Sequence, residues 1–229
     1  MITTEFDHVT KRSDRTLPVD GLESTTPSLS VDAATPPTGH LGSLRADFEA
    51  QAGRSLSLPI AGALVWAIVA VAALLVPDRI ATMVLVVGSG AIFPLGLLIA
   101  RALGERLMNN DSPLAALMGM SVLMVNLLWA VHLTLFSIDV QLVPLTLAIG
   151  LGLHWIVFSW VIGHPLGVIH TVARTVLVTA AWWLLPDNRI EAIAFGVVIT
   201  YVYAILALAT RRRGSSTVAD LMEAAPRRG

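Results

Sequence analysis

From Leu58 onward the chain is a succession of apolar runs cut by short polar punctuation, and the punctuation shows where each run ends. The first run covers 58–76 and closes at Pro77-Asp78-Arg79. The second covers 80–103, carries Gly88-Ser89-Gly90 and Pro94 inside it, and ends among Arg101, Glu105 and Arg106. A polar loop from Glu105 to Pro113 follows, in which Asp111 or Ser112 is placed to cap the next helix. Pro113 then takes the first helical position, where a missing N–H costs nothing. The remaining runs are 114–136, 142–162, 166–185 and 190–208, separated by Ser137–Gln141, by Gly163-His164-Pro165 and by Pro186-Asp187-Asn188-Arg189. Each run is close to the roughly 20 residues that cross about 30 Å of hydrocarbon. The pattern predicts an all-α polytopic membrane protein with six transmembrane helices, the second kinked at Pro94.

The flanks follow a different pattern. Residues 1–40 are dense in Ser, Thr, Pro and Asp, with Leu and Val that never acquire a period, and read as a disordered tail. No apolar stretch follows a basic start there, so no cleavable secretory signal is expected. Over 41–54, Leu44, Phe48 and Ala52 recur at i, i+4 and i+8 among Arg45, Asp47, Glu49 and Gln51, which suits an amphipathic helix on the membrane surface. Residues 209–229 form a polar, basic C-terminal tail.

Composition removes most alternatives. With 55% hydrophobic and only 14% charged residues, and a mean hydropathy of +0.74, six spans use up the apolar residues and leave no core for a second folded domain. The absence of cysteine excludes disulfides, thiol catalysis, iron–sulfur clusters and cysteine-ligated zinc. The net charge of -1 hides an uneven distribution. Arg45 and Arg54 precede the first run, Arg101 and Arg106 follow the second, and Arg211 to Arg213 follow the sixth, while the opposite turns hold Asp78, Asp139 and Asp187 with only Arg79 and Arg189. Cytoplasmic flanks retain Arg and Lys, so both termini are expected to be cytoplasmic. Lys11 is the single lysine beside fourteen arginines, a bias that suggests a GC-rich bacterial genome and hence the bacterial cell membrane.

Ionisable groups inside hydrocarbon cost roughly 2.5–3.5 kcal/mol each on insertion scales, so they are the first candidates for function. At 1.5 Å per residue, His170 lies about 6 Å from the cytoplasmic end of its run, His154, Arg174 and Tyr201 about 12 Å, and Asn126 about 18 Å. His170 and Arg174 are four residues apart and share a helix face. Asn126 and Trp129 are close enough on the wheel to face one cavity. No Asp or Glu lies at the depth of Arg174, which leaves carbonyls, lipid phosphate or a bound anion as its counter-charge. Snorkelling to headgroups and a structural bond to Asn126 are the bland readings. The sharper one is a substrate site lined by Asn126, His154, His170, Arg174 and Tyr201, in which a histidine couples protonation to an anionic solute.

Other chemistry finds little support. His154 and His170 could approximate a bis-histidine haem, but no haem motif accompanies them. His154, His164 and His170 lack zinc-ligand spacing, and HExxH is absent, so no cofactor or metal is expected. His132 is expected near the outer end of its span. Trp66, Trp129, Trp155, Trp160, Trp182 and Trp183 read mainly as lipid-facing or interfacial anchors. Ala115-x-x-x-Gly119 and Gly88-x-Gly90 are expected at close helix contacts. Leu75-Val76-Pro77-Asp78-Arg79-Ile80 resembles Leu184-Leu185-Pro186-Asp187-Asn188-Arg189-Ile190; a duplicated hairpin would produce this, and so would the chemistry of any tight interfacial turn. There is no Walker loop, no GxSxG and no carboxylate pair at catalytic depth, so no catalytic residues are assigned and enzyme activity is not expected.

Ile92-Phe93-Pro94-Leu95-Gly96-Leu97, Asp111-Ser112-Pro113-Leu114, Gly152-Leu153-His154-Trp155 and the segment from Gly163 to Arg174 resemble an uncharacterised bacterial family of six-span integral membrane proteins, a domain of unknown function. The resemblance implies the cell membrane and six spans and supplies no activity. The residues themselves favour translocation of a small anionic solute or ion through an inner-half polar cavity. A membrane scaffold that binds a partner, or a second copy of itself, is the alternative, and a lipid-acting membrane enzyme a weaker one. Besides the lipid bilayer, no nucleic-acid partner is expected.

Overall fold

The computed structural model describes residues 38–108 and 110–211, and it is helical almost throughout. The expectations for 1–37, for Asn109, and for 212–229 with Arg212 and Arg213, lie outside the described residues. The helices are α1 (Thr38–Ala52), α2 (Ser57–Leu75), α3 (Asp78–Leu103), α4 (Pro113–Leu127), α5 (Trp129–Ile138), α6 (Leu142–Gly150), α7 (His154–Ile162), α8 (Leu166–Leu184) and α9 (Arg189–Thr210), with a 3-10 turn at Pro186–Asn188. Six stretches are long and apolar enough to cross a membrane: α2, α3, α4 with α5, α6 with α7, α8, and the 3-10 turn with α9. Large apolar side chains such as Ile68, Val87, Leu127, Val176 and Ile199 are exposed, as helix faces bathed in lipid must be.

Local chemistry explains the helix boundaries. Ser112 takes the capping role before α4, its hydroxyl accepting from the Leu114 N–H at 3.4 Å with Pro113 in the first turn. The α3 and α7 helices end in left-handed residues, Gly104 at φ 70° and Gly163 at φ 62°, where a side chain would be strained. Beyond each, Glu105 and His164 return N–H groups to the Ala100 and Ser159 carbonyls, at 2.9 and 3.0 Å. The α3 helix continues through Pro94.

Two spans are interrupted instead. In the third, Leu128 separates α4 from α5. In the fourth, Leu151–Leu153 separate α6 from α7, and the N–H groups of Gly152, Leu153 and Trp155 bond three residues back, at 2.9, 3.1 and 3.2 Å. Such tightening inside a helix is uncommon. The two interruptions adjoin: a Cβ on Gly150 would meet His132 Nε2 at 3.1 Å and Leu128 Cδ1 at 3.3 Å. His132 is therefore buried between the third and fourth spans, its Nδ1 3.2 Å from the Thr146 hydroxyl.

The α2, α9 and α8 helices form the centre, with α3 packed on α2, and α6 and α7 packed on α8; α4 and α5 lie farther out against α7 and α6. Although consecutive, α3 and α4 do not pack closely against each other. Gly119 accordingly has nothing within 4 Å of where a Cβ would stand, so Ala115 and Gly119 border a gap and not the close contact their spacing predicts.

Polar ties gather at one edge. The Glu105 carboxylate accepts the N–H groups of Leu56 and Ser57 at 2.9 and 3.0 Å, neutralising the positive start of α2. The α1 helix is held by Arg211 to Glu49 at 2.6 Å, by Arg45 to the Trp160 carbonyl at 2.7 Å, and by Gln51, which accepts the Asp111 N–H at 3.0 Å. At the other edge, Arg189 lies 4.2 Å from the centre of the Trp182 ring and donates to Gln141 at 3.1 Å.

Candidate functional site

The site starts from α8. His170 and Arg174 lie one turn apart and both are fully buried, Arg174 at 0% exposure. That value removes the snorkelling reading, since a side chain reaching headgroups would be accessible at its tip. Eight residues from the start of a 19-residue helix, Arg174 stands about 12 Å along it, close to the middle of the span.

The guanidinium is enclosed by aromatic rings. Trp66 of α2 and Tyr201 of α9 lie with their ring centres 5.5 and 5.2 Å from the Arg174 carbon Cζ. Tyr201 comes this close because Gly62 of α2 has no side chain: a Cβ there would stand 2.5 Å from the ring. On the remaining side is the break in the fourth span, where a Cβ on Gly152 would meet Arg174 Cδ at 3.2 Å and Nε at 3.5 Å. The cation therefore sits beside the carbonyl end of α6, the negative pole of that half-helix.

What the guanidinium does not do is hydrogen-bond. Nε and both terminal nitrogens have no partner among the described residues. Each cation–π contact in a desolvated site supplies about 2 kcal/mol, so two of them offset the roughly 2.5–3.5 kcal/mol of inserting the charge. They leave the N–H groups unsatisfied, and each charge-assisted hydrogen bond is a further ~1.5–3 kcal/mol. The site thus tolerates a cation while keeping its donor capacity unspent.

Neighbouring groups extend this character. His170 Nδ1 lies 2.9 Å from the Thr200 carbonyl, which can only accept, so Nδ1 carries the proton of a neutral ring and Nε2 presents a lone pair. That Nε2 is unpartnered among the described residues, as are the indole N–H groups of Trp66 and Trp155. Trp155 stacks on His170 at 4.3 Å, and His170 lies 5.4 Å from Tyr201, ring centre to ring centre. Thr171 donates to the Gly152 carbonyl at 2.9 Å, pinning α8 to the break in the fourth span.

The fold brings His170, Arg174 and Tyr201 into contact and puts His154 beside them, at the start of α7 next to Trp155. It does not bring Asn126. That residue is exposed on α4 and returns its amide to the Val122 carbonyl of its own helix at 2.8 Å. The residues that sequence reasoning missed are Trp66 and Trp155, at 0% and 5% exposure, which are walls of the site and not anchors. The signal was depth: Trp66 is mid-span, where no aromatic belt exists. Among the described residues no three His, Asp or Glu side chains converge as metal ligands.

Six apolar spans around a buried cation define a polytopic helical membrane protein. Residues 41–211 match a family of unknown function, DUF7010, and the chain belongs to that family. No curated protein matches it, and no solved structure does.

Proposed function

We propose that this chain is a bacterial cell-membrane protein, with both termini in the cytoplasm, that binds and translocates a small anionic solute. Arg174 is the cation that receives the anion, in a cage formed by the Trp66 and Tyr201 rings, with Trp155 packed behind on His170. The observation that carries this reading is the Arg174 guanidinium, fully buried at mid-span with three nitrogens unpartnered among the described residues. Anion donors in a water-poor site bind strongly because each bond replaces little solvation. His170, one turn away with its free Nε2, and His154 beside Trp155 are the groups that take up a proton with the solute. Interrupted helices at mid-membrane are how many transporters expose backbone poles to a bound ion; the break at Leu151–Leu153 lies against Arg174, and the one at Leu128 adjoins it through Gly150. The orientation rests on Arg45, Arg54, Arg101, Arg106 and Arg211 at the α1 edge, against Arg79 and Arg189 at the other.

Flux into liposomes of reconstituted protein tests this across a panel of small anions. Wild type is expected to carry at least one of them. Arg174→Gln is expected to lose most of that flux, with Arg174→Lys retaining part of it because charge remains and the planar fork does not. Flux unchanged by Arg174→Gln removes Arg174 from the mechanism.

A further inference from the structure

A second feature adjoins the Arg174 site. Where α3 and α4 do not pack together, a cleft of about 370 Å³ opens, walled by α4, α7 and the first turn of α2 with Phe93 of α3, and covered at one end by Phe48 and Ala52 of α1. That volume falls in the range of ligand sites, roughly 300–1,000 Å³. Its polarity changes with depth. The mouth at the α1 edge holds Arg106, Asn110, Ser55 and the α2 first-turn residues Ser57 and Leu58, whereas the deeper walls are Phe93, Met118 and Val122, with His154 and Trp155 on the α7 side. Phe93 and Val122 lie about 15 Å along their helices from that edge, which makes the cleft a slot reaching half-way across the membrane.

Two observations bear on the occupant. Phe93, Gly119 and Val122 are exposed, so the slot opens sideways onto the face that the spans present to lipid. Ser57 and Trp155 both line it, and their Oγ and Nε1 atoms are buried without a partner among the described residues. The charge at the mouth is also defined. Arg106 is exposed, and the neighbouring Glu105 carboxylate is engaged by the Leu56 and Ser57 N–H groups. Asp111, one residue beyond Asn110, is not among the lining residues.

We propose that this cleft is a lipid site: it takes one acyl chain of an anionic phospholipid from the surrounding leaflet, with the phosphate at Arg106. A slot walled in depth mainly by Phe93, Met118 and Val122, open to the bilayer along its side and cationic at the headgroup level fits an anionic amphiphile. A polar solute arriving from water gains nothing from Leu58, Phe93 or Val122. The slot adjoins the Arg174 site, since His154 and Trp155 line both, but its proposed occupant is read from its own lining and mouth.

The test is lipid retention. Native mass spectrometry of the protein taken from membranes in mild detergent is expected to find about one phospholipid per chain. In nanodiscs of mixed phosphatidylglycerol and phosphatidylethanolamine, the bound lipid is expected to be the former. Gly119→Trp adds bulk at a wall of the slot where the Cβ itself meets nothing within 4 Å, and is expected to reduce retention about tenfold while melting like wild type. Arg106→Gln is expected to keep the chain bound and lose the preference for the anionic headgroup. Equal retention in Gly119→Trp and wild type overturns the proposal. So does a retained free fatty acid in place of a phospholipid, or an anionic preference that survives Arg106→Gln.

Discussion

The Arg174 guanidinium lies 5.2 Å from the ring centre of Tyr201, in a cage that supplies π-faces to a cation and, among the described residues, no hydrogen bond to its donors. A purely structural arginine in a protein interior is expected to spend its N–H groups on carbonyls or carboxylates, because leaving them unmade is costly. Here the cage is built for charge and not for donor satisfaction.

The ring of Tyr201 is therefore expected to matter more than its hydroxyl. Tyr201→Phe should melt within a degree or two of wild type, whereas Tyr201→Leu should lose about 2 kcal/mol or more through the missing cation–π contact. Thermal melts of both variants in detergent check this. Equal loss in both variants would place the energy in the phenolic oxygen.

Gly62 controls how closely that ring approaches. A Cβ at position 62 would stand 2.5 Å from the Tyr201 ring, so Gly62→Ala is expected to cost about 1–3 kcal/mol by overpacking. Combining it with Tyr201→Leu should cost less than the sum of the two single changes, since the clash then has no target. A double-mutant cycle of melting free energies measures the coupling, and strict additivity contradicts the contact.

Glu105 holds two helices at once, closing the α3–α4 loop onto the first turn of α2. Glu105→Ala removes the acceptor for two N–H groups and is expected to destabilise by about 1–2 kcal/mol. Glu105→Gln, which keeps one carbonyl oxygen and loses the charge, should fall between. Chemical denaturation of the three proteins in one detergent orders them.

The Arg211–Glu49 pair fastens α1 to the end of α9 at 2.6 Å, with both side chains partly exposed, so its own contribution is modest, about 1 kcal/mol or less. Glu49→Gln is expected to speed hydrogen exchange across Thr38–Ala52 while the six spans keep their protection. Exchange rising equally in α9 and α2 would mean that α1 belongs to the cooperative core.

Orientation has a direct check, since the chain contains no cysteine to interfere. A cysteine at Arg106 is expected to react with an impermeant maleimide only after the cells are opened, and one at Asp187 to react in intact cells. The reverse pattern inverts the topology.

Hydropathy made the six spans legible, because a hydrocarbon slab imposes run length and little else. The depths of Arg174, His170 and Tyr201 followed from counting residues, since a helix fixes its rise. The sides those residues face did not all follow. Asn126 and Trp129 share a wheel sector, but which neighbour that sector meets depends on packing, and α4 turns Asn126 outward. Trp66 and Trp155 were read from residue type, although mid-span depth already argued against an anchor. The interruptions at Leu128 and Leu151–Leu153 carry no proline and lie in leucine-rich sequence that favours helix. Gly152 sits in the second of them and Gly150 ends the helix before it, and the contact of Gly150 with His132 and Leu128 is a tertiary relationship that periodicity does not contain. Pro94, expected to kink the second span, lies inside a helix that runs unbroken from Asp78 to Leu103.

The central claim is that Arg174 holds a solute, and the measurement that reaches it most directly is an experimental structure of the reconstituted protein with a transported anion. The account expects anion density about 2.7–2.9 Å from the Arg174 nitrogens, between the Trp66 and Tyr201 rings. A guanidinium bonded entirely to helix carbonyls or ordered water, with no anion at saturating concentration, contradicts it.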